Sequence, residues 1–239
     1  MELNGTVIVR HASLAQPILR FEDIPLELTD LRLMVRQTAD ILRRFDALDD
    51  SDYHAVQALG RDTALPAIAE AWYRRPADRH VAAVPAAGAG AHDTRSGEGD
   101  AMDHVLTQAM RPFLSRCAEV LQTRDELALW SHPHCPLCGG EPDLAVITPA
   151  AERHLICSRC TLRWKFDPLA CPYCRNADRT RITSFATPDG RYRVYACDVC
   201  RRYVKAYDAR RARRPVMPVV DGVATLPLDA AAIQRGYGG

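Results

Sequence analysis

Cysteine is the residue type whose spacing carries the most chemistry in this chain of 239 residues. Eight of the nine cysteines form four Cys-x-x-Cys pairs, namely Cys135/Cys138, Cys157/Cys160, Cys171/Cys174 and Cys197/Cys200. The two sulfurs of one such turn face the same side. Two turns can then enclose one ion in a tetrahedron with metal–sulfur bonds of about 2.3 Å. The spacing therefore predicts metal centres built only from thiolates.

The cysteine-rich segment repeats itself, because Cys-Pro-Leu-Cys at position 135 is followed 36 residues later by Cys-Pro-Tyr-Cys at position 171. Each copy continues with a strand-like run, a turn, a second strand-like run, a second pair and a third run. This predicts two tandem ribbons with one site each. The first site would comprise Cys135, Cys138, Cys157 and Cys160, and the second Cys171, Cys174, Cys197 and Cys200. A cross-brace, with the first pair joined to the third and the second to the fourth, is the alternative.

Two metals suit four sulfur ligands, Zn2+ and a rubredoxin-type iron. A glycine directly after the second cysteine of a turn frees backbone N–H groups to donate to sulfur, which tunes an iron centre. Only Gly139 fills this position, while Thr161, Arg175 and Arg201 occupy the other three. This composition favours structural zinc over a working redox iron.

Three further candidate residues are interpreted as structural. His132 and His134 stand just before the first cysteine pair, but the cysteine set is complete without them. Cys117 lies on the apolar face of a predicted helix, where a free thiol is typically a buried core residue.

The sequence also contains no nucleophile elbow, dinucleotide-binding glycine fingerprint or paired-carboxylate site. Since a site closed by four sulfurs has no open coordination position, we predict no enzymatic activity.

Composition and charge describe an ordinary globular protein with an uneven charge distribution. Apolar types make up 47% and charged types 26% of the chain, and the formal net charge is +1. The first 131 residues hold 14 Lys and Arg against 20 Asp and Glu, whereas the remainder holds 17 against 10. Neither a signal peptide nor an apolar run long enough for membrane insertion is recognisable. A cytoplasmic protein with reduced thiols is the expectation.

Hydrophobic periodicity divides the chain into a helical and a β-rich part. Apolar steps of three and four predict helices at about 26–48, around 65–72 and at 101–124, the last kinked or divided by Pro112. Short β-like runs are predicted at 144–148, 154–156, 162–166, 180–185, 192–196 and 203–207. A short helix is expected near 228–234.

The predicted fold class is α+β, an N-terminal all-helical domain followed by two tandem rubredoxin-like or zinc-ribbon modules. The predicted divisions are a helical domain at 1–130 with a flexible loop at about 81–100, a first ribbon at 131–168, a second at 169–210, and a C-terminal tail at 211–239 that packs back on the body.

The ordered motifs resemble the FdhE-type formate dehydrogenase accessory proteins. The resemblance covers roughly residues 130–237. It rests on C-P-L-C-G-G-E-P at 135–142, R-H-L-I-C-S-R-C-T-L-R-W at 153–164, C-P-Y-C at 171–174, A-C-D-V-C-R-R-Y-V-K at 196–205 and the tail V-V-D-G-V-A-T-L-P-L-D. Two departures are Arg175, where a small residue is usual, and Gly222 after Asp221, where a second acidic residue is common.

The resemblance implies a cytoplasmic protein that binds the catalytic subunit of a respiratory formate dehydrogenase and supports its maturation. It also implies two rubredoxin-like modules, with iron associated with the cysteines. The eight cysteines match the family motif one by one. A homodimer is left open, and nucleic acid is the less favoured partner.

Two other functions remain open from the residues. A nucleic-acid-binding ribbon would use basic residues interleaved with aromatics. These residues are Arg163, Trp164, Arg191, Tyr192, Arg193, Arg201, Arg202, Tyr203 and the arginines of 210–214. A rubredoxin-like electron carrier would use the same cysteine centres with iron.

Overall fold

The computed structural model describes residues 5–75, 98–211 and 214–238. The chain divides into two compact units, one from Leu19 to Cys117 and the other comprising the residues up to Ile18 and those from Ala118 onward. The first unit is helical, whereas the second contains the sheet and both cysteine-rich ribbons. The predicted α+β class with two ribbon modules is thereby confirmed.

Eight α-helices occur among the described residues. They are α1 (Gly5–Leu14), α2 (Leu28–Arg44), α3 (Asp50–Leu59), α4 (Leu65–Arg74), α5 (Glu98–Ala109), α6 (Arg111–Gln122), α7 (Pro218–Ala224) and α8 (Leu226–Gln234). None of them combines the length with the apolar character that a bilayer crossing needs.

The predicted amphipathic helix at 26–48 is present as α2, but it is shorter than predicted. It buries Leu31, Val35, Thr38 and Ala39 on one face, as the three- and four-residue spacing requires. Phe45 ends the helix, and the chain then enters a left-handed conformation at Asp46, with φ of 55°. A residue in this conformation cannot continue a right-handed helix.

The predicted division at Pro112 is also present. Helix α5 ends at Ala109, and α6 begins at Arg111 with Pro112 in its first turn. Proline has no backbone N–H and fits the first turn, where that group would lack an intrahelical partner. The predicted linker at 81–100 lies outside the described residues up to position 97, and its last three residues belong to α5.

A single six-stranded sheet contains both ribbons. Its strands are β1 (Pro142–Ile147), β2 (Arg153–Cys157), β3 (Arg163–Phe166), β4 (Ile182–Ala186), β5 (Tyr192–Cys197) and β6 (Tyr203–Asp208). The spatial order is β3-β2-β1-β6-β5-β4. Each ribbon is an antiparallel meander, and the two are joined where β1 runs parallel to β6, with Leu144 opposite Lys205 and Ile147 opposite Asp208.

The C-terminal helices cover the second ribbon. Ala232 of α8 and Tyr237 pack with Val194 and Ala196 of β5 in one apolar cluster. The carboxylate of Asp229 accepts hydrogen bonds from the Tyr203 hydroxyl at 2.7 Å and from Lys205 Nζ at 2.8 Å. Lys205 can therefore be buried in a central strand, because a carboxylate balances its charge.

Candidate metal centres

The first four cysteines form one compact cluster of sulfur atoms. Cys135 Sγ lies 3.5 Å from Cys160 Sγ, and Cys138 Sγ lies 3.5 Å from Cys157 Sγ and 3.7 Å from Cys160 Sγ. A tetrahedron with metal–sulfur bonds of about 2.3 Å has edges of about 3.8 Å, whereas a disulfide would need about 2.0 Å. The spacing therefore fits four ligands around one ion.

The last four cysteines form an equivalent second cluster. Cys171 Sγ lies 3.7 Å from Cys200 Sγ, and Cys174 Sγ lies 3.6 Å from Cys197 Sγ. Within each cluster all four sulfurs lie within 4.8 Å of one another. The predicted grouping is the one found, and the cross-braced alternative is wrong, since each ribbon gathers its own two pairs.

The four Cys-x-x-Cys turns share one backbone geometry, which orients their sulfur atoms toward the centre of each cluster. In every pair the first cysteine accepts a backbone hydrogen bond at its carbonyl from the residue four positions later and donates its own N–H to the carbonyl five positions later. The N···O distances of the first kind of hydrogen bond are 2.8–3.1 Å, and its acceptors are the carbonyl oxygens of Cys135, Cys157, Cys171 and Cys197. The N–H groups of the same four cysteines donate, in that order, to the carbonyl oxygens of Gly140, Leu162, Asn176 and Arg202.

Each turn places the residue after its second cysteine in the left-handed region. These residues are Gly139, Thr161, Arg175 and Arg201, with φ of 71°, 60°, 60° and 58°. Only glycine adopts this conformation without steric cost. The three non-glycine turns therefore carry backbone strain, and an ion bound by both turns of a site would compensate for it.

The electrostatics of the first cluster favour a cation at its centre. Burial raises the pKa of Cys135 and of Cys160 well above the usual range. Burial acts in the same direction on Cys157, but hydrogen bonds from Cys135 and Cys138 hold its pKa well below that range. Four thiolates held this close together repel one another, and a bound divalent ion would remove this conflict.

Backbone and side-chain donors also point at the sulfurs. Arg159 N lies 3.4 Å from Cys157 Sγ, and Tyr173 N lies 3.5 Å from Cys171 Sγ. Asn176 Nδ2 approaches Cys197 Sγ at 3.9 Å. Such donors stabilise thiolates, so each site fits a thiolate-bound ion. Zn2+ and iron both satisfy this donor set.

A buried arginine holds the connection between the two ribbons. Arg153 of β2 is 3% exposed, and its Nη2 donates to the carbonyl oxygens of Asp167 and Ala170. Burial lowers the pKa of Arg153 to about 10. Ala170 immediately precedes Cys171 and Asp167 lies four residues before it, so Arg153 fixes the segment that leads into the second centre. Arg153 lies one residue before the strand predicted at 154–156, and nothing in that pattern indicated this role.

The remaining candidates lie apart from the sulfur clusters. Cys117 is buried on α6, as predicted, and burial raises its pKa. The rings of His132 and His134 stack on each other with centroids 5.8 Å apart and meet Trp130 edge-on. The carbonyls of these two histidines accept hydrogen bonds from Trp164 Nε1 and Trp130 Nε1. The pair therefore helps to position the approach to Cys135.

Most of the basic and aromatic residues considered for nucleic-acid binding are either buried or paired with carboxylates within the protein. Trp164, Tyr192 and Tyr203 are 1%, 8% and 7% exposed and offer no platform for a base. Most of the neighbouring arginines pair with carboxylates, as in Arg193–Asp208, Arg201–Asp198, Arg202–Glu141, Arg210–Asp208 and Arg214–Asp221. This arrangement disfavours the nucleic-acid interpretation, which needs exposed aromatics beside free cations.

Comparison with known proteins finds FdhE homologues. The chain is 25% identical over 135 residues to the FdhE homologue of Actinobacillus pleuropneumoniae, covering 55% of this chain and 44% of the relative. It is 28% identical over 107 residues to that of Haemophilus influenzae, covering 44% of this chain and 35% of the relative. The match thus spans less than half the length of these curated relatives. No protein-family model matches the chain.

The fold has a counterpart among solved structures. The crystal structure of the FdhE protein from Pseudomonas aeruginosa aligns with 100% of this chain and 78% of its own chain, with a TM-score of 0.59 and 18% sequence identity. At this level of identity the likeness concerns the fold. The homologous sequences and the two four-cysteine clusters of the tandem ribbons support the resemblance of this chain to the FdhE proteins.

Proposed function

We propose that this chain is a non-catalytic accessory protein that binds the catalytic subunit of a respiratory formate dehydrogenase in the cytoplasm and supports its maturation. The observation that carries the proposal is the pair of four-cysteine clusters in tandem ribbons, present in a chain with FdhE relatives. The eight clustered cysteines would be the metal ligands, with one Zn2+ or iron ion in each ribbon.

The chemistry of the sites supports binding rather than catalysis. A metal enclosed by four protein sulfurs offers no position for substrate or water. Such an ion can supply about 10–16 kcal/mol toward folding, which is enough to hold a ribbon of some 40 residues in one conformation. The metals would make the ribbons rigid enough to present a surface to a protein client.

Capture of the client from the same organism tests the proposal. The tagged full chain, purified without oxygen, is mixed with the catalytic subunit before and after metal removal. We expect the metal-loaded chain to retain the subunit and the metal-free chain to lose it. Cys117→Ser is the matched control, because Cys117 lies outside both clusters and its replacement should leave capture unchanged. Failure of the fully loaded chain to retain the subunit would overturn the proposal.

Elemental analysis identifies the metal in the same preparation. We expect two ions per chain, with iron giving visible thiolate charge-transfer colour and zinc none. A chain that holds fewer than two ions when expressed in metal-sufficient medium would contradict the assignment of all eight cysteines as ligands.

An electron carrier is the second candidate function, and one observation favours it. Cys174 is exposed and Cys200 is half-buried, so an iron at the second centre would lie near the surface, where electron exchange with a partner is possible. Voltammetry of the iron-loaded chain tests this function. A reversible one-electron wave supports it, and a redox-silent protein rejects it.

A further inference from the structure

The two cysteine clusters differ in their access to solvent, although the ribbons repeat one another. The four sulfur-bearing residues of the first cluster are 0–3% exposed. In the second cluster Cys171 and Cys197 are buried, whereas Cys174 is exposed and Cys200 half-buried. Cys138 and Cys174 occupy equivalent positions in the two Cys-Pro-x-Cys motifs, so the difference arises from what surrounds them.

The first cluster is covered by the segment that follows helix α1. Ile18 N donates to the carbonyl of Pro136, inside the first cysteine turn, at 2.8 Å. A side chain added at Gly139 would approach Pro17 Cγ to 2.9 Å, which shows how closely Pro17 lies on this turn. At the corresponding position of the third turn stands Arg175, which is itself exposed.

Exposure decides how a four-sulfur site exchanges its ion. A metal in a buried cluster leaves only when the surrounding structure opens, and the free energy of that opening limits the rate. At an exposed cluster an incoming thiol can approach the ion directly. Its sulfur then forms a bond to the metal while one protein sulfur is released, so the coordination number and the oxidation state are unchanged.

We propose that the second centre is a metal-exchange site that opens at Cys174, whereas the first centre is a permanently occupied structural site. The acceptor or donor is a thiol-bearing molecule or protein. With an ion held by the second cluster, exchange would break the bond between that ion and Cys174 Sγ and form one to the incoming sulfur. The proton of the incoming thiol passes to the released Cys174 thiolate. The proposal rests on the proposed metal ligation by both clusters.

The experiment uses the full chain loaded with two zinc ions and challenged with glutathione and a chromophoric chelator. We expect two phases of equal amplitude, the first at least about tenfold faster than the second, because only the second centre exchanges without local unfolding. Mass spectrometry of alkylated thiols should find Cys174 modified first, with the cysteines of the first cluster protected. A single phase, or earlier modification of Cys138, would overturn the proposal.

A matched pair of variants assigns the phases and separates this inference from the proposed metal ligation. Cys174→Ser should remove or accelerate the fast phase and leave the slow phase unchanged. Cys138→Ser should affect the slow phase only. Should Cys138→Ser fail to fold, the order in which the cysteines of the parent chain are alkylated still tests whether the second centre opens first. Absence of bound zinc would refute the proposed ligation, whereas two zinc ions released at the same rate would refute only the exchange site.

Discussion

Arg202 holds Glu141 through both carboxylate oxygens, with Nη1 at 2.8 Å from Oε1 and Nη2 at 2.6 Å from Oε2. Glu141 follows the first cysteine turn and Arg202 follows the fourth. The Arg202 guanidinium also lies 3.8 Å above the ring of Tyr173, whose hydroxyl donates to the carbonyl of Pro142 at 3.1 Å. Ser158 N donates to the Glu141 carbonyl. All four cysteine turns therefore meet at one ion pair.

The first prediction is that this pair couples the two ribbons energetically. Glu141→Gln should lower the free energy of unfolding of the metal-loaded chain by about 1–3 kcal/mol, because a partly buried guanidinium loses its charged partner. A double-mutant cycle with Arg202→Gln should give a coupling energy of about 1 kcal/mol or more. Urea unfolding measures both quantities.

The Asp189–Arg191 pair is the matched control for this cycle. Its two side chains are 51% and 46% exposed, and an exposed ion pair contributes about 0–1 kcal/mol. Asp189→Asn should therefore have a smaller effect than Glu141→Gln. Equal effects at the two pairs would mean that Glu141 has no special role between the ribbons.

Periodicity predicted the strands but not the way the ribbons join. The six β-like runs correspond to β1–β6 because each is bounded by turn residues or a cysteine pair. The hydrophobic pattern of β1 and β6 did not indicate that these strands pair, since alternation alone does not distinguish an edge strand from a central one. Lys205 is buried in β6, and its pairing with Asp229 depends on a residue 24 positions later, which the local pattern of the strand does not identify.

The second prediction concerns the left-handed residue after the third cysteine turn. Arg175 has φ of 60°, and left-handed backbone costs an L-residue about 1–2 kcal/mol that glycine avoids. Arg175→Gly should therefore be more stable than Arg175→Ala by about 1 kcal/mol. The alanine variant is the control, because it removes the same side chain but keeps the strain. Thermal unfolding of the two zinc-loaded variants compares their stabilities. Equal stabilities would contradict the prediction that backbone strain at position 175 destabilises the chain.

Three helices, α1, α3 and α7, were not predicted, and the reasons differ between the first two. Residues 6–9 of α1 read Thr-Val-Ile-Val, a β-branched run that favours a strand. Tertiary packing overrides this preference, since Ile8 and His11 are buried on one face. Helix α3 carried a recognisable signal, because Asp49 caps its N-terminus by accepting from Asp52 N at 2.8 Å. The acidic cluster at 49–52 could have located this helix.

The third prediction is a pH dependence that originates at Asp208. Hydrogen bonds from Arg210 and then Arg193 hold the pKa of this buried carboxylate at about 2, below its ordinary value of 3.8. Because the folded pKa is depressed, its stabilising contribution is complete above the unfolded pKa and is lost as the pH falls through the folded one.

The Asp208→Asn variant isolates this contribution. It should be less stable than the parent by about 1–2 kcal/mol near pH 7, and the difference should shrink as the pH falls from about 4 toward 2. Unfolding curves of both proteins at matched zinc saturation measure it. A difference that grows on acidification would show that another group is responsible.

The fourth prediction concerns the space beside the first centre. A methyl group added at Gly140 would approach Cys157 Sγ to 2.9 Å, whereas one added at Gly222 in α7 meets no atom within 4 Å. Gly140→Ala should displace the sulfur and weaken zinc binding at the first centre by about tenfold, since ligand geometry sets affinity. Gly222→Ala should stabilise the chain by about 0.5–1 kcal/mol through helix propensity. Competition with a chelator and thermal unfolding distinguish these outcomes.

The fifth prediction follows from the location of both cysteine clusters in the unit that comprises the residues up to Ile18 and those from Ala118 onward. Metal removal should unfold the ribbons, because each site contributes about 10–16 kcal/mol, while α2–α5 retain their structure in the other unit. The tryptophans report on the two units separately. Trp130 and Trp164 are buried in the ribbon unit, and Trp72 is buried in α4.

In a Trp72→Phe background, chelation should shift the fluorescence to longer wavelength as Trp130 and Trp164 become hydrated. The helical far-UV signal should largely remain, and added zinc should restore the original emission. Loss of the helical and fluorescence signals in one step would show that the helical unit depends on the ribbons. Unchanged fluorescence after verified metal loss would contradict the role of the ions in holding the ribbons together.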